Sequence, residues 1–159
     1  MEYDNSMVRR QNRLMEKTDA YRLLKEGEFG VLSMVTPTGK GYGVPFSYVW
    51  DGGESVYFHC APEGEKLKCF EVNEYVSFCV VGKTEVIPDK FTTNYESIIV
   101  SGTITTDLST EERMHALELI LDKYAPDDKV VGMAYAEKSF SRTRILCLNI
   151  NCISGKCRR

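Results

Sequence analysis

The first half of the chain alternates short apolar segments with tight turns, and this spacing restricts the fold more than any other feature. Residues 29–36, 41–50 and 55–60 are rich in β-branched and aromatic side chains, which favour strands. The turn at 36–39 has proline second and glycine fourth, as type I turns prefer, and 51–53 is Asp-Gly-Gly. Three strands joined by such short turns predict an antiparallel β-meander.

The second half of the chain adds further strands and helices. Predicted strands occupy residues 76–87, 97–105 and 143–153, with a loop at 88–95. Helices are predicted at 18–26, 63–72, 109–125 and 130–140. Six mainly antiparallel strands with peripheral helices predict a mainly β fold. The sheet is expected to close, or nearly close, into a barrel, because closure hides edge strands.

Several helix ends carry recognisable signals. Thr18 is predicted as an N-cap and Gly27 as a stop. Ser109 and Glu112 have the spacing of a capping box. The helix that follows has an apolar stripe at three- and four-residue spacing, which is typical of a core-facing helix: Met114, Leu117, Leu121 and Tyr124.

Length and charge narrow the class of protein. A chain of 159 residues predicts a single domain, here 18–159, preceded by a polar arm at 1–17. The formal net charge of −3 argues against a nucleic-acid partner. We expect no membrane association, because no apolar run approaches a bilayer span. The N-terminus lacks the apolar core of a secretory signal, so a cytoplasmic location is expected.

The six cysteines form no C-x-x-C pair, and the chain has only two histidines. Zinc sites need a closer arrangement of such ligands, so no metal is expected. We expect most of the cysteines to be buried thiols in a reducing compartment.

The segment from residue 57 to residue 67 is the best candidate for a binding site. The sequence contains none of the common nucleotide-loop, esterase or metalloprotease motifs. Here a strand leads into a helix whose first turn includes Lys66, and helix N-termini attract phosphate. Glu63 and Glu65 oppose an anion, and a solvated Lys66 is the alternative. His59 and Cys60 are a weak catalytic pair, because adjacent strand residues face opposite sides.

The second predicted strand has a composition that suits a flat ligand. Pro45 cannot donate to a sheet ladder and so marks an edge, a bulge or an opening. Gly41 and Gly43 permit close backbone approach. A planar aromatic molecule could lie along this strand, although its aromatic residues could equally fill a core.

Together these segments resemble a known family. The resemblance extends from about residue 10 to residue 156. It is carried by Tyr-Gly-Val-Pro-Phe-Ser-Tyr-Val-Trp at 42–50, Val-Tyr-Phe-His-Cys-Ala at 56–61, Gly-Glu-Lys-Leu at 64–67 and Ile-Ser-Gly-Lys at 153–156. This order resembles the pyridoxamine 5′-phosphate oxidase-like FMN-binding split barrels, and within them the 5-nitroimidazole-resistance (Nim) branch.

The resemblance implies a six-stranded antiparallel split β-barrel that forms a homodimer with FMN at the interface. It places one strand beside the flavin ring and ribityl chain: Val44, Pro45, Phe46 and Ser47. Phe58 and His59 would border the flavin, and Lys66 would bind the FMN phosphate. Ser97 would contact the ring system, and Arg142 could reach across the interface.

The function implied is an FMN-dependent reductase that takes electrons from NADH or NADPH and reduces nitroaromatic or other small electron-poor acceptors. His59 would donate a proton or a hydrogen bond; a structural contact is the alternative. A non-catalytic flavin- or haem-binding protein for storage or sensing stays open. Pyridoxamine phosphate oxidation is less favoured, because Glu65 stands where those oxidases carry a basic residue beside the lysine.

Overall fold

The computed structural model describes residues 1–159 and contains eight strands and four α-helices. The strands are β1 (Glu2–Tyr3), β2 (Phe29–Val35), β3 (Gly41–Ser47), β4 (Val49–Trp50), β5 (Ser55–Cys60), β6 (Tyr75–Ile87), β7 (Thr92–Thr105) and β8 (Arg144–Arg158). The helices are α1 (Lys17–Glu26), α2 (Glu65–Val72), α3 (Thr110–Tyr124) and α4 (Lys129–Ser139). None of the helices is both long and apolar enough to cross a membrane.

The strands form one sheet in the order β3-β2-β6-β7-β8-β5-β4, in which all neighbours are antiparallel. The two end strands, β3 and β4, are separated in the chain by Tyr48 alone, so the sheet must curl until its ends meet. β3 and β5 are not hydrogen-bonded neighbours in the sheet order. The rings of Phe46 and Phe58, on these two strands, pack with centroids 5.3 Å apart. This geometry confirms a split β-barrel with peripheral helices.

The barrel interior follows from the two-residue alternation of its strands. In β2, Leu32 and Met34 are buried while Val31 and Ser33 are exposed. Burying one such large apolar side chain contributes about 1.5–3 kcal/mol. α1 packs Leu23 and Leu24 into the same core, and α2 adds further apolar side chains to it.

Helices cover only one half of the barrel's outer surface. α3 and α4 pack over β4, β5 and β8 through a second apolar cluster that includes Tyr57, Leu117 and Ile145. On β2, β6 and β7, by contrast, the outward-facing apolar side chains remain exposed: Phe29, Val31, Val81 and Ile99. The two halves of the barrel therefore have different surfaces.

The predicted arm at residues 1–17 lies along β8. β1 pairs parallel with Cys152 and Ile153, and Leu14 forms a bridge to Lys156. Met15 is buried at 2% exposure. The polar composition of the segment did not predict these contacts, because main-chain hydrogen bonds do not depend on the identity of the side chains.

Three sequence predictions need correction. The strand count is eight rather than six, since β1 was not predicted and the segment 41–50 breaks at Tyr48. The loop predicted at 88–95 is shorter: after a 3-10 turn at Pro88–Lys90, Phe91 adopts φ 46° and β7 begins at Thr92. The N-cap of α1 is Glu16, so Thr18 lies inside the helix.

The N-cap of α3 is as predicted. The Ser109 hydroxyl accepts a hydrogen bond from the Glu112 amide at 3.1 Å. The Glu112 carboxylate, however, accepts one from the Tyr57 hydroxyl at 3.3 Å. Glu112 therefore links α3 to the barrel.

Candidate functional site

The last residues of β5 place a thiol and an imidazole on opposite faces of the sheet. Phe58 and Cys60 face the barrel interior, whereas His59 faces outward and is exposed. The antiparallel register pairs Cys60 with Arg144 at the start of β8. A histidine, a thiol and a guanidinium are therefore brought to the same end of the sheet.

The start of α2 lies close to this strand end. Gly64 is the N-cap, with φ 138°, a conformation that side chains rarely adopt. A Cβ placed on Gly64 would lie 3.3 Å from the Lys66 Nζ, so the ammonium folds back over the helix start. The first backbone N–H groups of a helix have no partner inside the helix. An ammonium and these amides therefore share one small region.

Glu63 and Glu65, which oppose an anion site in the sequence, do not form ion pairs with Lys66. The Glu65 carboxylate lies 3.5 Å from the Lys68 ammonium, along the helix. Glu63 is exposed before the helix begins. Lys66 itself is half-buried. Its charge is thus not neutralised by the neighbouring Glu65.

The Cys60 thiol lies within the electrostatic influence of two cations. Burial raises the pKa of Cys60, and the charges of Lys66 and Arg144 oppose that rise. Arg144 was not among the residues predicted from the sequence, because its place depends on the pairing register of β5 and β8. The predicted Arg142 lies two residues earlier, exposed in the 3-10 turn Phe140–Arg142.

Both carboxylates and cations line the largest cleft, which has a volume of about 790 Å³ and runs beside α2. Gly64, Lys68 and Arg144 contribute to it, but acidic side chains line much of the rest: Glu63, Glu65, Glu71, Glu74 and Asp107. Acidic side chains thus outnumber the cations in this cleft, and Glu63 and Glu65 flank Gly64 within it.

The four residues predicted on β3 divide between two faces. Phe46 is buried in the core and Val44 packs against it, whereas Pro45 and Ser47 are exposed on the outer face. Ser47 borders a cleft of about 680 Å³ that is also lined by Phe29, Lys123 and Tyr124.

Phe58 is fully buried. Its ring lies between those of Phe46 and Phe78, with centroids 5.3 and 5.0 Å away. In this position the Phe58 ring packs against Phe46 of β3 from the interior of the barrel.

Ser97 lies on the outer face of β7, on the uncovered half of the barrel. It pairs with Val81 of β6 on one side and with Lys156 of β8 on the other. In β2, Phe29 pairs with Ser47, so outward-facing residues continue across β3, β2, β6 and β7. We call this surface the uncharged sheet face; its residues are Phe29, Val31, Ser33, Gly43, Pro45, Ser47, Ser77, Cys79, Val81, Ser97, Ile99 and Ser101.

A lysine holds the break between β3 and β4 in place. The Lys123 Nζ donates hydrogen bonds to the carbonyl oxygens of Gly27 at 2.7 Å and Tyr48 at 2.9 Å. The Tyr48 amide donates to the Tyr124 hydroxyl at 3.0 Å. Burial lowers the pKa of Lys123 to about 8, against the opposing influence of the Glu28 carboxylate. Nothing in the sequence pattern singled out Lys123.

The thiols are more exposed than expected. All six cysteines are free, but only Cys69 and Cys147 are buried and the other four are partly exposed. The prediction that most are buried is wrong, because Cys79 and Cys152 face outward and Cys60 and Cys157 pack only partly against the core.

His59 borders a third cavity, of about 410 Å³, between the barrel and the helices α3 and α4. The structure places His59 on the outer face at the end of β5 and Lys66 near the inward-facing Cys60, so it does not bring these two predicted residues together. Pro45, Ser47 and Ser97 share the uncharged sheet face.

Comparison with known proteins agrees with this architecture. The sequence model of the pyridoxamine 5′-phosphate oxidase family matches residues 16–157. No curated protein matches the chain in sequence. The fold and this match define the class as a split barrel related to flavin-binding proteins. The chain belongs to the pyridoxamine 5′-phosphate oxidase family, as the sequence resemblance predicted.

Solved structures with the same fold are distant in sequence. A candidate 5-nitroimidazole antibiotic resistance protein from Bacteroides thetaiotaomicron aligns with a TM-score of 0.78 and 18% identity, over 91% of this chain and 86% of that one. A FAD-binding protein from Mesorhizobium loti gives 0.69 and 18%, over 92% and 98%. The flavocytochrome Anf3 from Azotobacter vinelandii gives 0.71 and 16%, over 100% and 77%.

Proposed function

We propose that this protein is an FMN-dependent reductase that uses NADH or NADPH to reduce nitroaromatic compounds, such as 5-nitroimidazoles, or other small electron-poor acceptors. The observation that carries the proposal is the junction of β5 and α2. There Lys66, Arg144 and the first amides of α2 offer positive charge and hydrogen-bond donors close to Cys60, while the exposed His59 lies on the opposite face of β5. A phosphate monoester suits this set of donors.

Lys66, Arg144 and the main chain after Gly64 would hold the phosphate of FMN. Gly64 leaves room for the Lys66 ammonium, because a side chain there would crowd the Nζ atom. Lys66 contributes a flexible point charge, and Arg144 a planar group that can donate two parallel hydrogen bonds to phosphate.

The outer face of β3 would position the flavin ring. β3 is the end strand of the sheet, so no further strand pairs with its free edge. Pro45 and Ser47 are exposed on the outer face of this strand. When bound, FMN supplies the redox chemistry by accepting electrons from the nicotinamide and passing them to the acceptor. The protein's part is to orient the cofactor and limit the access of water.

His59 would hold a proton close to the acceptor. Its imidazole is exposed at the end of β5, so its ring N–H can donate to a bound molecule. A positioned acid of this kind typically contributes about 10²–10⁴-fold to a rate. The alternative role for His59 is a structural contact at the edge of the site.

A second copy of the chain would complete the site. The uncharged sheet face spans four adjacent strands, and Lys156 of β8, which pairs with Ser97, lies at its border. A broad exposed surface without charged residues is typical of the core of a protein interface. Because Pro45, Ser47 and Ser97 lie on this face, a homodimer formed through it would place the predicted flavin contacts at the interface.

Anaerobic spectroscopy tests the reductase directly. NADH or NADPH is expected to bleach the flavin absorption of the purified protein, and a 5-nitroimidazole is expected to restore it. His59→Asn is expected to lower the rate of the second step by at least about tenfold and leave flavin content unchanged. A bound flavin that neither nicotinamide reduces would contradict the proposal.

The phosphate site has a matched pair of lysines on one helix. Lys66→Ala is expected to release most of the FMN during purification, because it removes the charge nearest the helix start. Lys68→Ala is the control, since Lys68 is exposed and pairs with Glu65. Flavin content is measured by absorbance per chain. Equal retention in the two variants would exclude Lys66 as a phosphate ligand.

A non-catalytic flavin- or haem-binding protein is the second candidate. Similarity of fold to a FAD-binding protein and to a flavocytochrome favours it. Such a protein would bind its cofactor tightly but show no acceptor-dependent reoxidation under the conditions above.

A further inference from the structure

Three side chains that are far apart in the sequence meet on the surface of β7 and β8: Arg13, Tyr95 and Lys156. Lys156 pairs with Ser97, two residues from Tyr95, so Tyr95 and Lys156 are diagonal neighbours on one face of the two strands. The Lys156 Nζ lies 5.7 Å from the centroid of the Tyr95 ring. Arg13 ends a 3-10 turn next to Leu14, which forms a bridge to Lys156. We call these three residues the Tyr95 site.

Both cations act on the Tyr95 hydroxyl. Desolvation raises the pKa of Tyr95, but the N–H donors and charges of Arg13 and Lys156 outweigh it and lower the pKa below its ordinary value. A hydroxyl within reach of two cations lies in a positive potential, and such a potential favours a bound anion. All three side chains are only partly exposed, so the site is set into the surface.

No carboxylate neutralises these two cations. Arg13 and Lys156 form no ion pair. Glu96 is the acidic residue next to Tyr95 in the sequence, but its side chain pairs with Arg22 of α1 at 3.1 Å, on the other face of β7. The charges of the Tyr95 site are therefore available to a ligand.

A cleft of about 330 Å³ beside Arg13 extends the positive charge. Three arginines line this cleft, Arg13, Arg158 and Arg159, and no acidic residue does. Asp19 of α1 pairs with Arg159, which leaves two of the three guanidinium groups without a carboxylate. Guanidinium groups can donate two parallel hydrogen bonds to a phosphate, so this cleft suits a phosphate group.

A second cleft, of about 310 Å³, adjoins Tyr95 and is lined by Arg158 and Arg159 as well. Glu85 and Glu96 reduce its positive charge, and the Tyr95 ring gives it an aromatic wall. This cleft therefore suits the uncharged part of a phosphorylated ligand, such as a nucleoside, better than a second phosphate.

The Tyr95 site borders the surface on which the predicted flavin contacts lie. Lys156 pairs with Ser97, which belongs to the uncharged sheet face. NADPH differs from NADH only by a phosphate monoester on the adenosine ribose, which carries a charge of about −1.5 to −2 at pH 7. From these observations we propose that Arg13, Tyr95 and Lys156 bind the 2′-phosphate of NADPH, so that the protein selects NADPH over NADH. The proposal deepens the reductase function and rests on it for the role of NADPH as electron donor.

Two arginines near the N-terminus provide the test. Arg13→Gln removes a charge from the Tyr95 site while keeping a polar side chain of similar length. Arg10→Gln is the matched control, because Arg10 is exposed and lines neither of the two clefts. Calorimetric titration of the purified protein with adenosine 2′-monophosphate measures the dissociation constant. Adenosine 5′-monophosphate and inorganic phosphate are the comparison ligands.

Arg13→Gln is expected to weaken binding of adenosine 2′-monophosphate at least about tenfold, the usual effect of losing a charge-assisted hydrogen bond. Arg10→Gln is expected to leave this binding unchanged. Equal binding of adenosine 2′-monophosphate to the two variants would overturn the proposal. Binding of the 5′-monophosphate or of inorganic phosphate as tight as that of the 2′-monophosphate would also overturn it, because the site would then not recognise the 2′-phosphate.

The kinetics of flavin reduction separate a specific contact from a structural effect. Arg13→Gln is expected to raise the KM for NADPH at least about tenfold and to leave the KM for NADH unchanged. An equal rise of both KM values would overturn the proposal, since the arginine would then act on the part that the two donors share or on the fold.

The same measurements distinguish failure of this inference from failure of the reductase function. If neither nicotinamide reduces the flavin but Arg13→Gln abolishes binding of adenosine 2′-monophosphate, the phosphate site stands and the reductase function fails. If both nicotinamides reduce the flavin with equal KM values and Arg13→Gln changes neither, this inference fails alone.

Discussion

At the scale of single residues, Lys123 links stability to pH. It donates to two carbonyl oxygens in a half-buried position, and burial lowers its pKa from the ordinary 10.5 to about 8. Between about pH 8 and 10.5 the unfolded chain therefore binds more protons at this lysine than the folded chain does. The contribution of Lys123 to stability therefore rises with pH across that window, because deprotonation then favours the folded state.

Lys123→Met removes this titration while keeping most of the apolar stem. The free energy of unfolding of the natural protein minus that of Lys123→Met is expected to rise between about pH 8 and 10.5. Urea denaturation of both proteins at several pH values measures this difference. The pH-dependent contributions of the other titratable groups are the same in both proteins and cancel in the difference. A difference that stays constant over the window would refute the shifted pKa.

Residues differ in how far the sequence could predict their place. Lys66 was predicted because a helix start after a strand is a local feature. Arg144 and Lys123 were not, because their positions depend on the register between β5 and β8 and on the docking of α3. Both are relations between segments far apart in the chain, which side-chain periodicity does not encode.

At the scale of elements, the irregularity in β7 depends on one glycine. The register between β7 and β8 shifts between Ser101 and Gly102. A Cβ on Gly102 would lie 2.0 Å from the Asn149 carbonyl oxygen. Because that oxygen belongs to the backbone, β7 or β8 would have to move to make room for a side chain. The bulge therefore tolerates no side chain at this position.

Gly102→Ala is expected to destabilise the protein by at least about 1–3 kcal/mol, the usual cost of overpacking. Gly41→Ala is the control, because a Cβ there meets no atom within 4 Å. Thermal and urea unfolding of both variants provide the measurement. A Gly102→Ala protein as stable as Gly41→Ala would show that the strands do not approach as closely as described.

Element boundaries show where sequence patterns were sufficient. β5 was predicted at its observed bounds, since Asp-Gly-Gly precedes it and Pro62 follows it. The segment 41–50 was predicted as one strand because its composition is uniformly β-forming. Its break at Tyr48 depends on hydrogen bonds to Lys123 and Tyr124 of α3, which are tertiary contacts.

At the scale of the whole molecule, the uneven coverage of the barrel predicts the assembly. α3 and α4 cover β4, β5 and β8, whereas the uncharged sheet face stays exposed. Val81 is 57% exposed within this face. We predict that Val81→Glu converts a homodimer to monomers, because burying an unpaired carboxylate costs several kcal/mol.

Val130→Glu introduces the same charge on α4, outside the uncharged sheet face, and is expected to leave the dimer intact. Sedimentation equilibrium of the natural protein and both variants measures the mass. A natural protein that is monomeric at micromolar concentration, or a Val81→Glu variant that still dimerises, would contradict this assignment of the interface.

The identity of the cofactor in freshly purified protein tests the central claim most directly. Acid release of the ligand followed by mass spectrometry is predicted to give FMN in an amount equal to that of the chain, and much less from Lys66→Ala. Haem in place of flavin, or no bound cofactor even after incubation with FMN, would contradict the account.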